Sequence, residues 1–266
     1  MPRLKVLVVA ASADIGAHLA AHFLKMGAEV FGTYRTYTPQ MAALEHAGVR
    51  LFPVDINSGE QVAGFAQKLK EMGCAWNVLV SAAGLLDPIG PFFSTDFDQW
   101  ENSVVTNSTA QLRVLHAIYD LRDRAGSVKT IFFAGGGTNG AFDNYSAYCL
   151  GKLSLIKMTE LLDSECPDLQ VSIIGTGWVN TKIHRQTIQA GEAAGVNFEK
   201  TLEFIDSDAG GSSLQDVAEC VDWCLAAPRA AVGGRNFSLV HDKWRDPKLI
   251  EVLIAEPDSY KLRRRS

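Results

Sequence analysis

Long apolar runs are scarce in this chain. No uninterrupted apolar stretch approaches the roughly 18 residues that a membrane-spanning helix needs, which argues against a membrane protein. The first residues, MPRLKVLVVAASA, have the basic start and the small residues of a secretory signal. Lys5, however, leaves an apolar run of only about six residues, which is shorter than such signals use. We therefore expect a first β-strand here rather than a leader peptide.

An excess of charge of one sign is also lacking. The 266 residues include 25 Lys and Arg and 30 Asp and Glu, for a net charge of −5 without long charged runs. Such a balance offers no general surface for nucleic acid or for an anionic membrane. We expect a small-molecule substrate instead, with no nucleic-acid or membrane partner.

Paired cysteines are missing as well. The chain has an odd number of cysteines without the paired spacing of a metal site: Cys74, Cys149, Cys166, Cys220 and Cys224. We expect all of them to be reduced and mostly buried. This predicts a cytoplasmic protein without a metal centre.

The chain does contain seven short β-rich runs, separated by segments with helical periodicity. The runs cover residues 5–10, 29–34, 49–55, 77–83, 130–135, 170–176 and 235–240, and the helical segments roughly 15–26, 39–47, 58–72, 97–124, 147–165 and 213–226. The runs are continuously apolar, as are the strands of a parallel sheet that is covered on both faces. The predicted fold class is therefore α/β, a Rossmann-type doubly wound, mostly parallel seven-stranded sheet with helices on both faces.

The domain organisation follows from composition. With 47% hydrophobic residues the chain can bury a large core, and it shows no linker or repeat, so we expect one domain over residues 1–266. Residues 177–212 follow the sixth run, where ligand-covering loops of such sheets lie, and we interpret them as a mobile lid. Residues 241–266 form a C-terminal extension that ends in a basic tail.

A nucleotide site is indicated at the carboxyl ends of the first two runs. AASADIG is a turn of small residues that leads into a helix, and helix N-termini with free backbone N–H groups bind anions. In dinucleotide-binding sheets an acid after the second strand bonds the ribose hydroxyls, whereas a base accepts the extra phosphate of NADP. Here GTYRT has no acid and offers Arg35, which favours NADP(H); NAD(H) stays open.

A pair of catalytic character opens the helical segment at 147–165. Tyr148 and Lys152 are four residues apart, so both side chains leave the same helix face. An ammonium held there would lower the pKa of the phenol, which could then exchange a proton with a carbonyl or alcohol oxygen. Tyr145 competes for this role but meets Cys149, not a lysine, four residues later.

These stretches resemble the short-chain dehydrogenase/reductase family. The first turn is similar to T-G-x-x-x-G-x-G, SAAG at 81–84 to the N-A-G turn, Y-x-x-x-K at 148–152 to the catalytic motif, and GTGWVNT to P-G-x-x-x-T. The resemblance covers roughly residues 4–240. It implies a cofactor site made of Ala10, Ser12, Asp14, Ile15, Gly16, Tyr34, Arg35, Asp55, Ile56, Ala82, Ala83, Gly84, Tyr148, Lys152, Gly177, Val179 and Thr181.

The resemblance also implies the catalytic roles. Tyr148 would be the acid/base, Lys152 would lower its pKa and hold the nicotinamide ribose, and the main chain of Asn107 would hold a water in the proton relay. Candidate substrate contacts are Gly135, Gly136, Thr138, Tyr145 and Trp178. It further implies a homodimer or homotetramer built partly on the helices at 97–124 and 147–165.

Besides Thr176, which replaces the proline of P-G-x-x-x-T, three departures from the family pattern bear on the chemistry. Ala10 and Asp14 stand where the first turn has glycines; an L-residue in a left-handed turn costs about 1 kcal/mol, and a carboxylate would repel a pyrophosphate unless it caps the helix, which is our interpretation of Asp14. Gly135 stands where the family has a serine that orients the substrate oxygen. Either Thr138 or backbone N–H groups of the glycine run replace that donor, or catalytic power is lost.

The sequence thus predicts an NADP(H)-dependent oxidoreductase that interconverts a carbonyl and an alcohol. The alternative is a non-catalytic or weakly active dinucleotide-binding protein that acts as a sensor or a partner subunit, an interpretation that the three departures support.

Overall fold

One parallel sheet organises the molecule. The computed structural model describes residues 3–207 and 211–264. Its strands are β1 (Lys5–Val9), β2 (Glu29–Tyr34), β3 (Arg50–Pro53), β4 (Val78–Ser81), β5 (Val128–Phe133), β6 (Leu169–Gly175) and β7 (Arg235–Ser238). They lie in the order β3-β2-β1-β4-β5-β6-β7, and every neighbouring pair is parallel. The predicted fold class is confirmed, and within the described residues the sheet is wholly rather than mostly parallel.

Eleven helices of α type occur in the described part of the chain. They are α1 (Asp14–Lys25), α2 (Pro39–Ala47), α3 (Gly59–Glu71), α4 (Phe97–Asn107), α5 (Thr109–Ile118), α6 (Ser146–Glu165), α7 (His184–Ala190), α8 (Val196–Asp206), α9 (Leu214–Ala226), α10 (Arg229–Val232) and α11 (Lys248–Ala255). Short 3₁₀ turns occupy Phe92–Ser94, Tyr119–Leu121 and Gly191–Ala194.

The apolar strands contribute to two hydrophobic cores, one on each face of the sheet. In β1, Val6 and Val8 join one core, whereas Leu7 and Val9 join the other. Successive side chains of a strand point to opposite faces, so a strand covered on both faces has to be apolar at every position. This explains the continuous apolar runs.

The segment 97–124, predicted as one helix, is interrupted. α4 ends at Asn107 and α5 begins at Thr109, because Ser108 between them has φ −137° and ψ −90°, outside the helical region. The Ser108 hydroxyl donates to the carbonyl of Val104 at 2.5 Å, a local bond that competes with the helix ladder.

The predicted lid contains α7, the 3₁₀ turn Gly191–Ala194 and α8; its residues 208–210 lie outside the described residues. Its mobility stays a prediction. The C-terminal extension is packed against the sheet, since Trp244, Leu249 and Leu253 of this segment belong to one hydrophobic core. Residues 265 and 266 of the extension, and residues 1 and 2 of the predicted domain, lie outside the described residues.

No helix within the described ranges is both long and apolar enough to cross a lipid bilayer. All five cysteines are free. Residues 3–207 and 211–264 contain no group of three or more His, Cys, Asp or Glu side chains that could hold a metal ion.

Candidate active site

The predicted site residues collect at the carboxyl edge of the sheet. β1 pairs with β2 on one side and β4 on the other, so the chain leaves these strands in opposite directions and opens a crevice between their ends. Ligands of doubly wound sheets bind at this switch point. The turns after β1 to β6 carry the predicted residues to its rim.

The turn between β1 and α1 is tightly wound. Ala10 has a left-handed φ of 58°, which is the conformation that the sequence predicts at this position, and its N–H donates to Thr33 Oγ1 at 3.1 Å. A Cβ added to Gly16 would lie 2.3 Å from the Ala10 carbonyl oxygen, so only glycine fits where the helix crosses the turn. Ala13, at the N-cap of α1, provides no side-chain cap. The first-turn N–H groups therefore remain available to an anion.

Asp14 does not cap α1, and that interpretation is wrong. It is the first residue of the helix, and its carboxylate turns away toward the lid. One oxygen, Oδ2, accepts the backbone N–H of Lys182 at 2.6 Å, and the other lies 3.7 Å from Lys182 Nζ. The ammonium also donates to the carbonyl of Ser12. Lys182 was not among the predicted site residues.

The end of the crevice where the sequence predicts the adenosine is more open. Arg35 is exposed directly after β2, while the Tyr34 ring beside it packs edge-on against Tyr37 at 5.4 Å. Asp55, after β3, accepts the N–H of Asn57 at 3.0 Å, which fixes its carboxylate. Ile56 is buried. The Arg35 side chain is thus exposed at this end of the crevice.

The predicted catalytic pair, Tyr148 and Lys152, lies against the ends of β4 and β5. Lys152 is 3% exposed, and its Nζ donates to the carbonyls of Ala83 and Phe133 at 3.0 Å each. Nζ lies 5.9 Å from the centre of the Tyr148 ring. The phenol leans over the main chain at Gly135, where an added Cβ would lie 2.4 Å from Tyr148 Oη. The structure thus brings together Tyr148, Lys152 and the position where the family has its serine.

Burial shifts the pKa of the Tyr148 phenol in the direction opposite to the one that the sequence predicts. The sequence predicts that Lys152 lowers the pKa of Tyr148, but desolvation by burial, followed by the nearby Cys149, raises it above its usual value. Burial also lowers the pKa of Lys152 to about 7. A lysine that loses its charge near neutral pH cannot stabilise a tyrosinate strongly, so in this conformation the phenol keeps its proton.

Asn107 is fully buried at the end of α4. Its Oδ1 accepts the N–H of Leu85 at 3.1 Å, and its Nδ2 donates to the Leu85 carbonyl at 2.7 Å. A Cβ on Gly151 would lie 2.6 Å from Asn107 Cβ, so α4 and α6 meet closely beside Lys152. The side chain therefore holds the loop after β4. The predicted water on its main chain stays a proposal.

The glycine run after β5 is explained by packing. Added Cβ atoms would lie 3.0 Å from Phe142 at Gly136 and 2.6 Å from Cys149 Sγ at Gly137, just as one at Gly135 would meet Tyr148. The three glycines thus allow the entry to α6 to close onto the strand end. The Thr138 hydroxyl donates to the Gly135 carbonyl at 3.3 Å.

The lid closes over this region. Tyr145 is 1% exposed, stacks on Phe142 with ring centres 4.4 Å apart, and donates its hydroxyl to Thr187 of α7 at 2.9 Å. The side chain of Ile183 comes within 3.6 Å of the Cβ position of Gly84. Tyr145, Tyr148 and Ile183 belong to one apolar cluster. Tyr145 therefore ties the lid to the site, and its predicted contact with substrate stays a proposal.

Other lid residues pack among themselves. The Trp178 ring stacks on His184 at 5.2 Å with an interplanar angle of 6°, and both rings meet Phe204. Val179 is buried and pairs in a β-bridge with Ser212. Trp178, which is 38% exposed, thus packs against lid residues, whereas Val179 joins the hydrophobic core that also contains Val6 and Val8 of β1.

A cavity of about 540 Å³ opens between the N-termini of α1 and α2 and the lid. Its wall includes the carboxylate of Asp14, the cations of Lys182 and Arg185, and the predicted cofactor residue Thr181. The sequence alone could not identify Lys182. The only signal was a lysine directly after the GTGWVNT stretch, since Asp14 lies 168 positions away.

Comparison with protein families gives one match over most of the chain. The family model described as Enoyl-(Acyl carrier protein) reductase matches residues 9–223. Among curated proteins, an uncharacterized oxidoreductase of Schizosaccharomyces pombe is 26% identical over 167 residues, which are 60% of this chain and 63% of that protein. The chain therefore matches less than two thirds of this relative's length.

Several solved structures share the fold. An actinorhodin polyketide ketoreductase with NADPH has a TM-score of 0.78 at 22% identity, over 89% of this chain and 95% of that one. A putative short-chain dehydrogenase/reductase of Burkholderia multivorans with bound NADP has a TM-score of 0.70 at 24% identity, over 91% and 98%. The ligand-free aldohexose dehydrogenase of Thermoplasma acidophilum has a TM-score of 0.73 at 19% identity, over 89% and 92%.

Proposed function

The chain belongs to the short-chain dehydrogenase/reductase family, and from this premise we propose that it is an NADP(H)-dependent oxidoreductase that interconverts a carbonyl and an alcohol. The observation that carries the proposal is the position of the Tyr148 phenol at the end of β5, beside a lysine that two strand-end carbonyls hold. This arrangement supports proton transfer to an oxygen at the switch point of the sheet.

The residues of the crevice fit a nicotinamide dinucleotide. The tight turn at Ala10 and Gly16, with the uncapped N-terminus of α1, would hold the pyrophosphate. Asp55 and Arg35 would hold the adenosine and its 2′-phosphate. A bound NADPH would supply the hydride. The NADPH of the actinorhodin polyketide ketoreductase structure and the NADP of the Burkholderia multivorans structure support the same cofactor, and Arg35 is the feature of this chain that favours NADP over NAD.

Within the site, Tyr148 acts as the proton donor. An ordinary phenol is already protonated at neutral pH, and burial raises the pKa of Tyr148 further, so the group is present as the acid that can donate its proton to a carbonyl oxygen. Lys152, with a pKa near 7, would return a proton to the phenol through the water relay proposed at Asn107, since its Nζ lies 5.9 Å from the centre of the ring.

Two observations favour the second candidate, a dinucleotide-binding protein without turnover. Gly135 supplies no hydroxyl to orient a substrate oxygen, and the lid packs an apolar cluster around Tyr148. Such a protein would act as a sensor or a partner subunit.

The experiment that separates the two is NADPH oxidation with a panel of aldehydes and ketones. We expect turnover in the wild type and a loss of at least 100-fold in Tyr148→Phe, which should still bind NADPH because only the phenol hydroxyl is removed. NADPH binding without turnover of any carbonyl would support the sensor.

We also propose that the protein is cytoplasmic and forms a homodimer or homotetramer. The free cysteines support a reducing compartment. Phe97 on α4 and Leu150 on α6 are 59% and 48% exposed, which gives both helices an apolar surface that a second copy could cover. Light scattering on the purified protein measures its oligomeric state, and a monomer would contradict the proposed homodimer or homotetramer.

A further inference from the structure

Asp14 places a negative charge at the turn that the proposed function assigns to a pyrophosphate. It is the first residue of α1, directly after the turn of residues 10–13, and its side chain is 23% exposed. The pyrophosphate carries two negative charges, so an uncompensated carboxylate at this turn would weaken its binding.

Lys182 meets this carboxylate from the opposite side of the crevice. The lid backbone donates its N–H to Asp14 Oδ2 at 2.6 Å, while the lysine ammonium lies 3.7 Å from Oδ1. The ammonium also donates to the Ser12 carbonyl, so it lies on the turn itself. Because an ammonium has three N–H donors, the bond to Ser12 leaves others for a ligand.

The cavity beside the turn is lined by more positive than negative side chains, as a site for an anion requires. Among its lining residues, Asp14 is the one carboxylate and Lys182 and Arg185 are the cations. Since Lys182 is 44% exposed at its side chain, its charge reaches the cavity and is not buried behind the turn.

We propose that Lys182 neutralises Asp14 and so makes the turn between β1 and α1 competent to hold the pyrophosphate of a nicotinamide dinucleotide, an inference that rests on the proposed function. In this account the pair of residues 14 and 182 replaces a glycine of the family turn. Lys182 acts through Asp14, whose negative charge it compensates, and it takes no part in proton transfer.

Lys182→Met should weaken binding of NADPH and NADH alike, by about tenfold at low salt, because the pyrophosphate is common to both. Asp14→Asn alone should tighten binding a few-fold, because Asn keeps an oxygen for the Lys182 N–H but carries no charge. The double variant Asp14→Asn/Lys182→Met should recover most of the affinity that Lys182→Met loses. Lys200→Met, which removes a charge from an exposed position on α8, should bind like the wild type.

Fluorescence titration of the purified full-length variants with NADPH and NADH, at low and high salt, measures these dissociation constants. A loss in Lys182→Met that Asp14→Asn rescues and that salt reduces supports the inference. Weaker binding in Asp14→Asn, without rescue in the double variant, would mean that the pair only holds the lid, and a loss confined to NADPH would assign Lys182 to the 2′-phosphate; each result contradicts the inference. If the wild type and every variant bind neither dinucleotide, the proposed function itself fails.

Discussion

At Gly135 the lack of a side chain gives the Tyr148 phenol its place. The phenol oxygen would lie 2.4 Å from a Cβ at this position, well inside van der Waals contact. The family serine and this orientation of the tyrosine therefore exclude one another in this chain. Gly135 is a part of the packing around Tyr148, and a serine there could not act as an added hydroxyl alone.

Gly135→Ser is accordingly expected to impair the protein and not to improve it. The new side chain should displace the phenol and lower the free energy of unfolding by about 1–3 kcal/mol, as overpacking does. Turnover should fall on the order of 10- to 100-fold, because the phenol that we propose as the proton donor is misplaced. Urea unfolding and NADPH oxidation measure the two effects.

The matched control is Gly140→Ser in the same loop, where an added Cβ would meet no atom within 4 Å. It should keep wild-type stability and turnover. A Gly135→Ser variant as stable as the wild type and faster in turnover would contradict the packing role of this glycine.

Lys152 makes the stability of the protein depend on pH. Its pKa is lowered by burial from 10.5 to about 7 in the folded state. Below pH 7 the lysine is protonated in both states and contributes no pH dependence. Between pH 7 and 10.5 the unfolded chain binds a proton that the folded protein does not, so the free energy of unfolding rises with pH.

The wild type should therefore gain about 1 kcal/mol of stability per pH unit between pH 7 and 9, relative to Lys152→Met. Below pH 7 the difference between the two proteins should be constant. Urea unfolding of both, without cofactor, at pH 6, 7, 8 and 9 provides the measurement. Parallel pH profiles across the whole range would show that Lys152 keeps its charge in the folded state.

At this scale the sequence predicts which residues meet but not their chemical state. The Y-x-x-x-K spacing was sufficient to place Tyr148 beside Lys152, because a helix fixes that relation. The direction of the Tyr148 pKa shift depends on burial by residues that are distant in sequence. The contact of Asp14 with Lys182 likewise joins residues that are 168 positions apart. Neither has a local signal.

At the scale of the elements, the ends of a helix can be predicted where proline or glycine marks them, whereas a break inside a helical segment cannot. α2 was predicted at residues 39–47 and is found there, since Pro39 starts it and Gly48, with a left-handed φ of 109°, ends it. At the break, Ser108 and its neighbours include no glycine or proline from which the sequence could have predicted it. It comes with the buried Asn107 and its bonds to Leu85, which are tertiary contacts.

The C-terminal extension is the element whose role the motifs left open. α11 presents Leu253, fully buried in the core, next to Ile254, which is 50% exposed. The extension therefore stabilises the same core that holds β1 and α1.

Leu253→Ala should lower the free energy of unfolding by about 2–5 kcal/mol, because it leaves a cavity in this core. Ile254→Ala removes a similar side chain from the surface of the same helix and should cost less than about 0.5 kcal/mol. Chemical denaturation of both variants tests the comparison. Equal small losses would mean that α11 is not part of the cooperative fold.

For the whole molecule, the sheet order follows from chain pattern and general rules. Strict alternation of apolar runs and helices, with right-handed crossovers, leaves few topologies, and the parallel order found here is one that the rules allow. The closure of the lid onto three separate loops could not be predicted in this way. It depends on single contacts, such as Lys182 with Asp14 and Thr187 with Tyr145.

The account as a whole depends on a dinucleotide site at a turn that has lost two of its three glycines. Its most direct test is the titration of wild type and Arg35→Ala with NADPH and NADH, in which the nicotinamide fluorescence reports binding. We predict saturable binding of both by the wild type, with NADPH tighter, and a loss of tenfold or more in Arg35→Ala for NADPH alone, because only NADPH carries the 2′-phosphate. Binding of neither dinucleotide would mean that Ala10 and Asp14 close the site, and it would contradict the account.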